Sequence, residues 1–434
     1  MLVPRSTVTL LTMLARAAYR GVLARFNSFS PAARQFLAFS LLLSTAFAIF
    51  NLVFNLYMSA LGFSNDVIGL FNSLPAIALL LVGLPAAAIA DRLGYRVFLL
   101  GSATLAVLAS LLLAVASSRL LAVLAAGTFA LAVIVLGVLE SPLLTQLSSQ
   151  TERVAVFAFN QSLGWIAVLL GDAFGGIIPE AMARMTHRSS ASAVALRSAF
   201  IATTVLTLLS LPFLLRLVRR SDLRPVVTFP VRELLRFDVG RFGRVLLPSL
   251  ILGIGAGMYL NFVQLYLAQR FGLTPGPIGV ILAIGAALTA VVTLAAPSVG
   301  RRLGITRTIG LAQVVGSPLV LALAFLMVLP VAVIVMYVRQ LALNLQGPLS
   351  QVFGMEYVEV TQRARLATAQ AVVSGMGVGG IGPLLSGFLQ VRGGYQLAFS
   401  VGALFYLLSG LIFLWLFGKV QLASERARSS GSPS

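Results

Sequence analysis

The chain has 434 residues, 59% of them hydrophobic and 10% charged, with a formal charge of +19. A soluble domain keeps a far larger polar surface, so lipid is the natural solvent for this sequence. The lack of Cys excludes disulfides, thiolate nucleophiles and Fe–S ligands, and the single His, His187, excludes HExxH sites, His-rich metal cages and Ser–His–Asp triads.

Residues 1–35 form a basic segment. Arg16 and Arg20 interrupt any apolar core a signal peptide would need, whereas Leu11, Leu14, Ala18, Val22 and Phe26 fall along one helical face. This pattern suits a helix lying on an anionic leaflet, or a disordered basic tail. Apolar runs long enough to cross a hydrocarbon core then follow near 36–60, 66–90, 97–117, 120–146, 154–178 and 197–217. An Arg-rich stretch, 218–244, contains Pro225 and Pro230 and reads as a linker. Further runs lie near 245–268, 277–299, 307–328, 331–353, 364–388 and 396–418, before a tail at 419–434. Ser64 with Asp66, Thr274 with Pro275, and Thr361 mark the expected starts of the second, eighth and eleventh helices. The pattern predicts an all-α membrane protein with twelve transmembrane helices, its two six-helix bundles spanning 36–217 and 245–418.

Arginine placement sets the expected orientation. With a cytoplasmic N-terminus, the cytoplasmic side holds Arg92, Arg96, Arg153, Arg216, Arg219, Arg220, Arg301, Arg302, Arg363 and the rest of the linker and tail arginines. The other side holds Arg119, Arg184, Arg188, Arg197, Arg270 and Arg392. Both termini are therefore expected in the cytoplasm of a cell (plasma or inner) membrane. Basic residues dispersed over short loops do not make the single charged face that nucleic acid needs. The only lysine, Lys419, follows Leu416-Phe417-Gly418 in the tail, so there is no Walker A loop to drive an ATP motor. No metal or cofactor is expected.

An internal repeat supports the division into halves. At one constant offset Asn51 matches Asn261, Gly62 matches Gly272, and Ile68-Gly69 matches Ile278-Gly279. Arg92-Leu93-Gly94 matches Arg302-Leu303-Gly304, Arg153 matches Arg363, and Gly171 matches Gly382 within a one-residue slip. A collinear ladder of this kind points to two six-helix halves of common origin.

The turn after the second span reads Ala87-Ala88-Ile89-Ala90-Asp91-Arg92-Leu93-Gly94-Tyr95-Arg96. It resembles the GxLaDRxGRR signature of the major facilitator superfamily, with Asp91, Arg92, Gly94 and Arg96 kept, Ala87 for the leading Gly and Tyr95 for an Arg. Gly94 permits a tight turn, and Asp91 can face the positive end of a neighbouring helix. In that family this contact with the eleventh helix latches the cytoplasmic side, and Arg153 and Arg363 match its arginines at the starts of helices five and eleven. The repeat copy carries Arg301 in place of Asp91. Gly171-Asp172-Ala173-Phe174-Gly175-Gly176 and Gly382-Pro383-Leu384-Leu385-Ser386-Gly387 resemble the GPxxGG core of the drug-antiporter signature, with Asp172 in place of Pro and Ala167 for an upstream Gly. The antiporter family's fourth-helix Arg has no counterpart, since residues 121–146 contain none. Small residues at this spacing also serve plain helix packing.

Three ionisable residues are expected within the membrane: Glu140, Asp172 and Arg339. Each costs about 2.5–3.5 kcal/mol or more at the bilayer centre and should face protein or a water-filled path. Asp172 and Arg339 are expected at similar depth, about 10–12 Å from the outer surface, as a static ion pair, a pair that breaks in transport, or a proton site. Glu140 precedes Ser141-Pro142, and its repeat counterpart Gln346 precedes Gly347-Pro348, which suits one proton site or a hydrogen bond at a kink. Asn51, Asn55, Tyr57, Trp165, Asn261, Gln264, Tyr266, Tyr337, Gln340 and Asn344 are candidates to line a central cavity or to bond between helices. The resulting expectation is a monomeric, non-enzymatic secondary transporter in the lipid bilayer, coupling protons to export of a small amphiphilic molecule by alternating access. Sugar or nutrient uptake, and a membrane sensor or lipid scramblase on the same fold, are the competing readings.

Overall fold

The computed structural model describes residues 26–78, 95–116, 118–220, 239–359 and 362–420. Six helices form the first half: α1 (Pro31–Ala60), α2 (Asn65–Ala78), α3 (Tyr95–Val115), α4 (Arg119–Leu147), α5 (Arg153–Thr186) and α6 (Ala193–Arg220). The second half begins with α7 (Val239–Leu260), resumed after a two-residue turn as Val263–Phe271, then α8 (Pro275–Leu303), α9 (Ile305–Phe325) and α10 (Leu329–Tyr357). α11 starts as Arg363–Met376, passes through a π-helical turn at Gly377–Ile381, and continues into the stretch Gly382–Phe417. That stretch is broken by non-helical backbone at Gly393 and Gly394, and its remainder is α12.

Ten helices among the described residues are long and apolar enough to cross a membrane. The last of them, 365–417, holds both α11 and α12, and α2 reaches Ala78 where the description stops, which makes twelve crossings. Side chains of the outward faces, among them Leu108, Leu124, Ile201, Val291 and Trp415, are more than half exposed. In water this would be a liability; in hydrocarbon it is the lipid-facing girdle. Odd helices run one way and even helices the other, so the start of α1 and the end of α12 share one face, here called the terminal face. The opposite one is the distal face.

Local chemistry sets the ends. Pro31 opens α1, and Ser30 Oγ accepts from Ala33 N at 3.1 Å while donating to Leu147 O at 2.8 Å, which ties α1 to the end of α4. Thr274 precedes Pro275 at the start of α8 but makes no side-chain cap, and the Ser64 hydroxyl turns to the Asp66 carboxylate. Thr361 lies outside the described residues. Gly62 and Gly272, one repeat apart, both adopt left-handed φ (81° and 66°) where α1 and α7 end. α5 was expected to end near residue 178, yet it continues through Pro179 to Thr186.

The core of each bundle is aromatic. Phe50 sits 4.9 Å from Phe129 and 6.1 Å from Phe200, joining α1, α4 and α6. Tyr266, Tyr395 and Phe399 cluster within 5.4 Å of one another in the second bundle. Lipid is as apolar as these cores, so close packing rather than water exclusion holds the helices together.

Candidate functional site

The bundles meet along two seams related by the repeat. α2 crosses α11 where Gly69 faces the Pro383 carbonyl and Gly387. α8 crosses α5 where Gly279 faces the Asp172 carbonyl and Gly176, and a methyl at Gly176 would lie 2.6 Å from Pro275 O. Backbones touch here, which only glycine allows. Gly171 and Gly175 press on α1, and Gly382 presses on α7, each within its own bundle. Asp172 and Pro383 thus hold equivalent places, each offering its carbonyl to the glycine of the crossing helix.

Polar side chains extend the seams. Asn55 donates to Asn261 O and accepts from Asn72 Nδ2 at 3.0 Å, and Gln264 donates to Asn51 O at 3.3 Å. Asn51 and Asn261 also make the same bond one repeat apart, each to the carbonyl four residues earlier, at 3.0 Å. Asn261 bonds Val378 O at 2.8 Å, and Ser73 of α2 reaches Gly380 O at 2.6 Å, both within the π-helical turn of α11. Nearer the distal face Asn65 donates to Gln390 at 2.8 Å and to Gln269 at 3.2 Å, and Tyr395 donates to Gln269 at 2.9 Å. These bonds come from the distal halves of their helices, so the distal end is closed. Among the described residues no comparable seam joins α4 or α5 to α10 or the start of α11.

The expected cavity residues separate into three groups and a lone Trp165. Asn51, Asn55, Asn261 and Gln264 come together on the α1–α7 seam. Tyr337, Gln340 and Asn344 belong to an α8–α10 layer, bonding Ile281 O at 2.9 Å, Thr289 Oγ1 at 2.8 Å and Gln340 O at 2.8 Å. Tyr57 and Tyr266 do not line a cavity here. Both are fully buried inside their bundles, Tyr57 accepting from Arg197 Nε at 3.1 Å and Tyr266 donating to Leu323 O at 2.7 Å. Trp165 keeps its Nε1 buried without a hydrogen-bond partner.

Among the charged groups, Glu140 of α4 accepts from Asn160 of α5. Its repeat counterpart Gln346 accepts from Gln313 at 2.9 Å, and Gln313 accepts in turn from Ser409 at 2.7 Å. The Asp172–Arg339 pair is not formed. Arg339 is buried in the second bundle, its guanidinium 4.2 Å from the Tyr259 ring and donating to the Tyr406 hydroxyl. The helix rotation that puts Asp172 on the α5–α8 seam leaves Arg339 facing α7 and α12, so equal depth did not bring them together. Arg153 opens α5 and donates to Thr145 O at 3.2 Å, while Arg363 opens α11 and is exposed. Arg96 lies on α3, and Asp91, Arg92 and Gly94 lie outside the described residues.

Residues 36–378 match the family model of the Major Facilitator Superfamily. The chain belongs to the major facilitator superfamily. It is therefore an integral membrane transporter rather than an enzyme. No curated protein sequence matches it. Among solved structures it is similar to a bacterial homologue of the iron transporter ferroportin in an inward-facing state, with a TM-score of 0.73 at 14% identity over 89% of this chain and 98% of that one. It is also similar to a bacterial homolog of the human lysosomal transporter Spinster, inward-facing and occupied (TM-score 0.69, 14% identity, covering 88% and 96%). The nucleoside transporter NupG has a TM-score of 0.69 at 16% identity, covering 90% and 100%. Identities this low carry the fold and leave the substrate open.

Sequence reasoning missed Asn72, Asn160, Ser73, Glu180 and the Asn65–Gln269–Gln390–Tyr395 network. The first two were legible in principle, as amides inside apolar runs. Glu180 was missed because the expected span stopped near 178, whereas α5 continues to Thr186.

Proposed function

We propose that this superfamily member couples protons to the export of a small amphiphilic molecule, and that its terminal face is cytoplasmic in a cell membrane. The observation that carries the coupling is Glu140. It is a carboxylate inside the membrane whose hydrogen-bond partner is a neutral amide, Asn160, where the other half has the amide pair Gln313–Gln346. A carboxylate can take and release a proton there, and an amide cannot. The arginine-rich terminal side supports the orientation through the positive-inside bias. On that orientation the closed distal seams describe an inward-facing state. Neutral amides along α1, α7 and α10 suit an uncharged or singly charged solute. One chain carries both halves of the path, so the working unit is a monomer. The amide cluster at Asn51, Asn55 and Gln264 favours one second reading, uptake of a hydroxyl-rich solute.

The test uses proteoliposomes with an imposed pH gradient and a panel of labelled amphiphiles and sugars. Wild-type flux should follow the gradient, and Glu140→Gln should lose that dependence while still exchanging substrate. A Glu140→Gln variant that still accumulates substrate against its gradient would move the proton site to Asp172.

A further inference from the structure

The extension of α5 through Pro179 carries Glu180 across the α5–α8 seam. Its carboxylate accepts from Gly276 N at 3.3 Å and from Ser190 Oγ at 3.1 Å, and it is also hydrogen-bonded by the Thr274 side chain. Gly276 has room for it: a methyl there would sit 2.8 Å from Glu180 Cγ. α8 has no acidic residue in its own first turn, and Thr274 makes no side-chain cap. The positive end of a second-bundle helix is therefore satisfied by a carboxylate of the first bundle.

We propose that Glu180 is a distal-gate residue, holding the molecule in its distal-closed state by anchoring the start of α8 to α5. The two bundles cannot part at this seam without breaking the bond from Glu180 to the α8 N-terminus. Among the described residues no carboxylate bridges the α2–α11 seam in this way: Asp66, in the first turn of α2, is bonded by Ser64 of its own half. At the start of α2 the corresponding tie is the neutral pair Asn65–Gln390. Bonds to an ionised acceptor are about twice as strong as neutral ones, so Glu180 is the charged tie that opening of the α5–α8 seam has to break. This role concerns the gate alone and does not depend on which solute or ion is carried.

The absence of Cys lets spin labels be placed without removing native thiols. Met185→Cys and Gln396→Cys mark the exposed distal ends of α5 and α12, one in each half. Electron–electron distance measurements on the lipid-reconstituted protein then report distal opening without any substrate. Glu180→Gln should raise the ratio of long to short separations by about tenfold, the effect of losing one charged hydrogen bond. Glu180→Asp keeps the charge but shortens the reach, and should give an intermediate rise; it also serves if the Gln variant fails to fold. Gly164→Ala, where a methyl meets nothing within 4 Å, is the control and should leave the distribution unchanged. An unchanged distribution in both Glu180 variants, or an equal shift in the control, would overturn the proposal.

Discussion

Arg339 shows how a single membrane-buried cation can be kept without an anion. Its guanidinium lies on the face of Tyr259 and donates to the Tyr406 hydroxyl, so ring quadrupole and hydrogen bond replace a salt bridge. Tyr406→Phe should therefore lower stability by about 1–3 kcal/mol, read as melting temperature in detergent, because it leaves a buried donor unpaired. Arg339→Lys should fail to restore stability, since an ammonium lacks the planar stacking surface. Asp172→Asn and Arg339→Gln should be additive in the melting temperature of the distal-closed state, because the residues share no contact there. Coupling between them would show that the bundles pack differently from this structure. The sequence identified these residues as intramembrane but not their partners. Depth follows from counting along a helix, whereas pairing needs its rotation, and an apolar sequence surrounded by lipid gives little signal of rotation. Of the two roles open to Tyr57 and Tyr266, lining a cavity or bonding between helices, the structure has the second.

Among the helices, the glycine crossings were legible, and most ends fell within a few residues of expectation, the end of α5 excepted. Gly69 and Gly279, and Gly176 and Gly387, stand out in the sequence as repeat or motif matches, and in the structure each meets backbone of the opposite bundle. Backbone cannot step aside, so Gly176→Ala should cost about 1–3 kcal/mol through overpacking and should widen the distal seam. Gly164→Ala should be neutral or slightly stabilising, since it removes the helix penalty of glycine without a clash. Paired thermal melts of the two variants check this, and equal melting temperatures would refute the tight crossing. The end of α5 was the one furthest from expectation, while α4, with Pro142 inside it, ended within a residue of it. The last turns of α5, and Glu180 with them, lay beyond the apolar run expected near 154–178. Proline is tolerated inside membrane helices where neighbouring groups satisfy the freed backbone.

Across the whole molecule, the repeat predicted the architecture well because it constrains twelve helices at once. The matched φ values of Gly62 and Gly272, and the matched amide bonds of Asn51 and Asn261, carry it down to single side chains. The residues proposed to act fall where the halves differ: Glu140 against Gln346, Asp172 against Pro383, Asp91 against Arg301. By resemblance, Asp91 would latch the terminal face as Glu180 anchors the distal one. Asp91→Asn should then raise thiol labelling of a single Cys introduced near Gly94, and Arg301→Gln should change it much less. The account rests on the two faces opening in opposition. Its most direct test pairs the distal labels at Met185→Cys and Gln396→Cys with terminal labels at Ser149→Cys and Gln351→Cys, both exposed, and follows both distances in lipid as the pH is stepped. Alternating access predicts that the terminal separation shortens in the same population in which the distal separation lengthens. Two distances that lengthen together, or a distal seam that never opens, would contradict it.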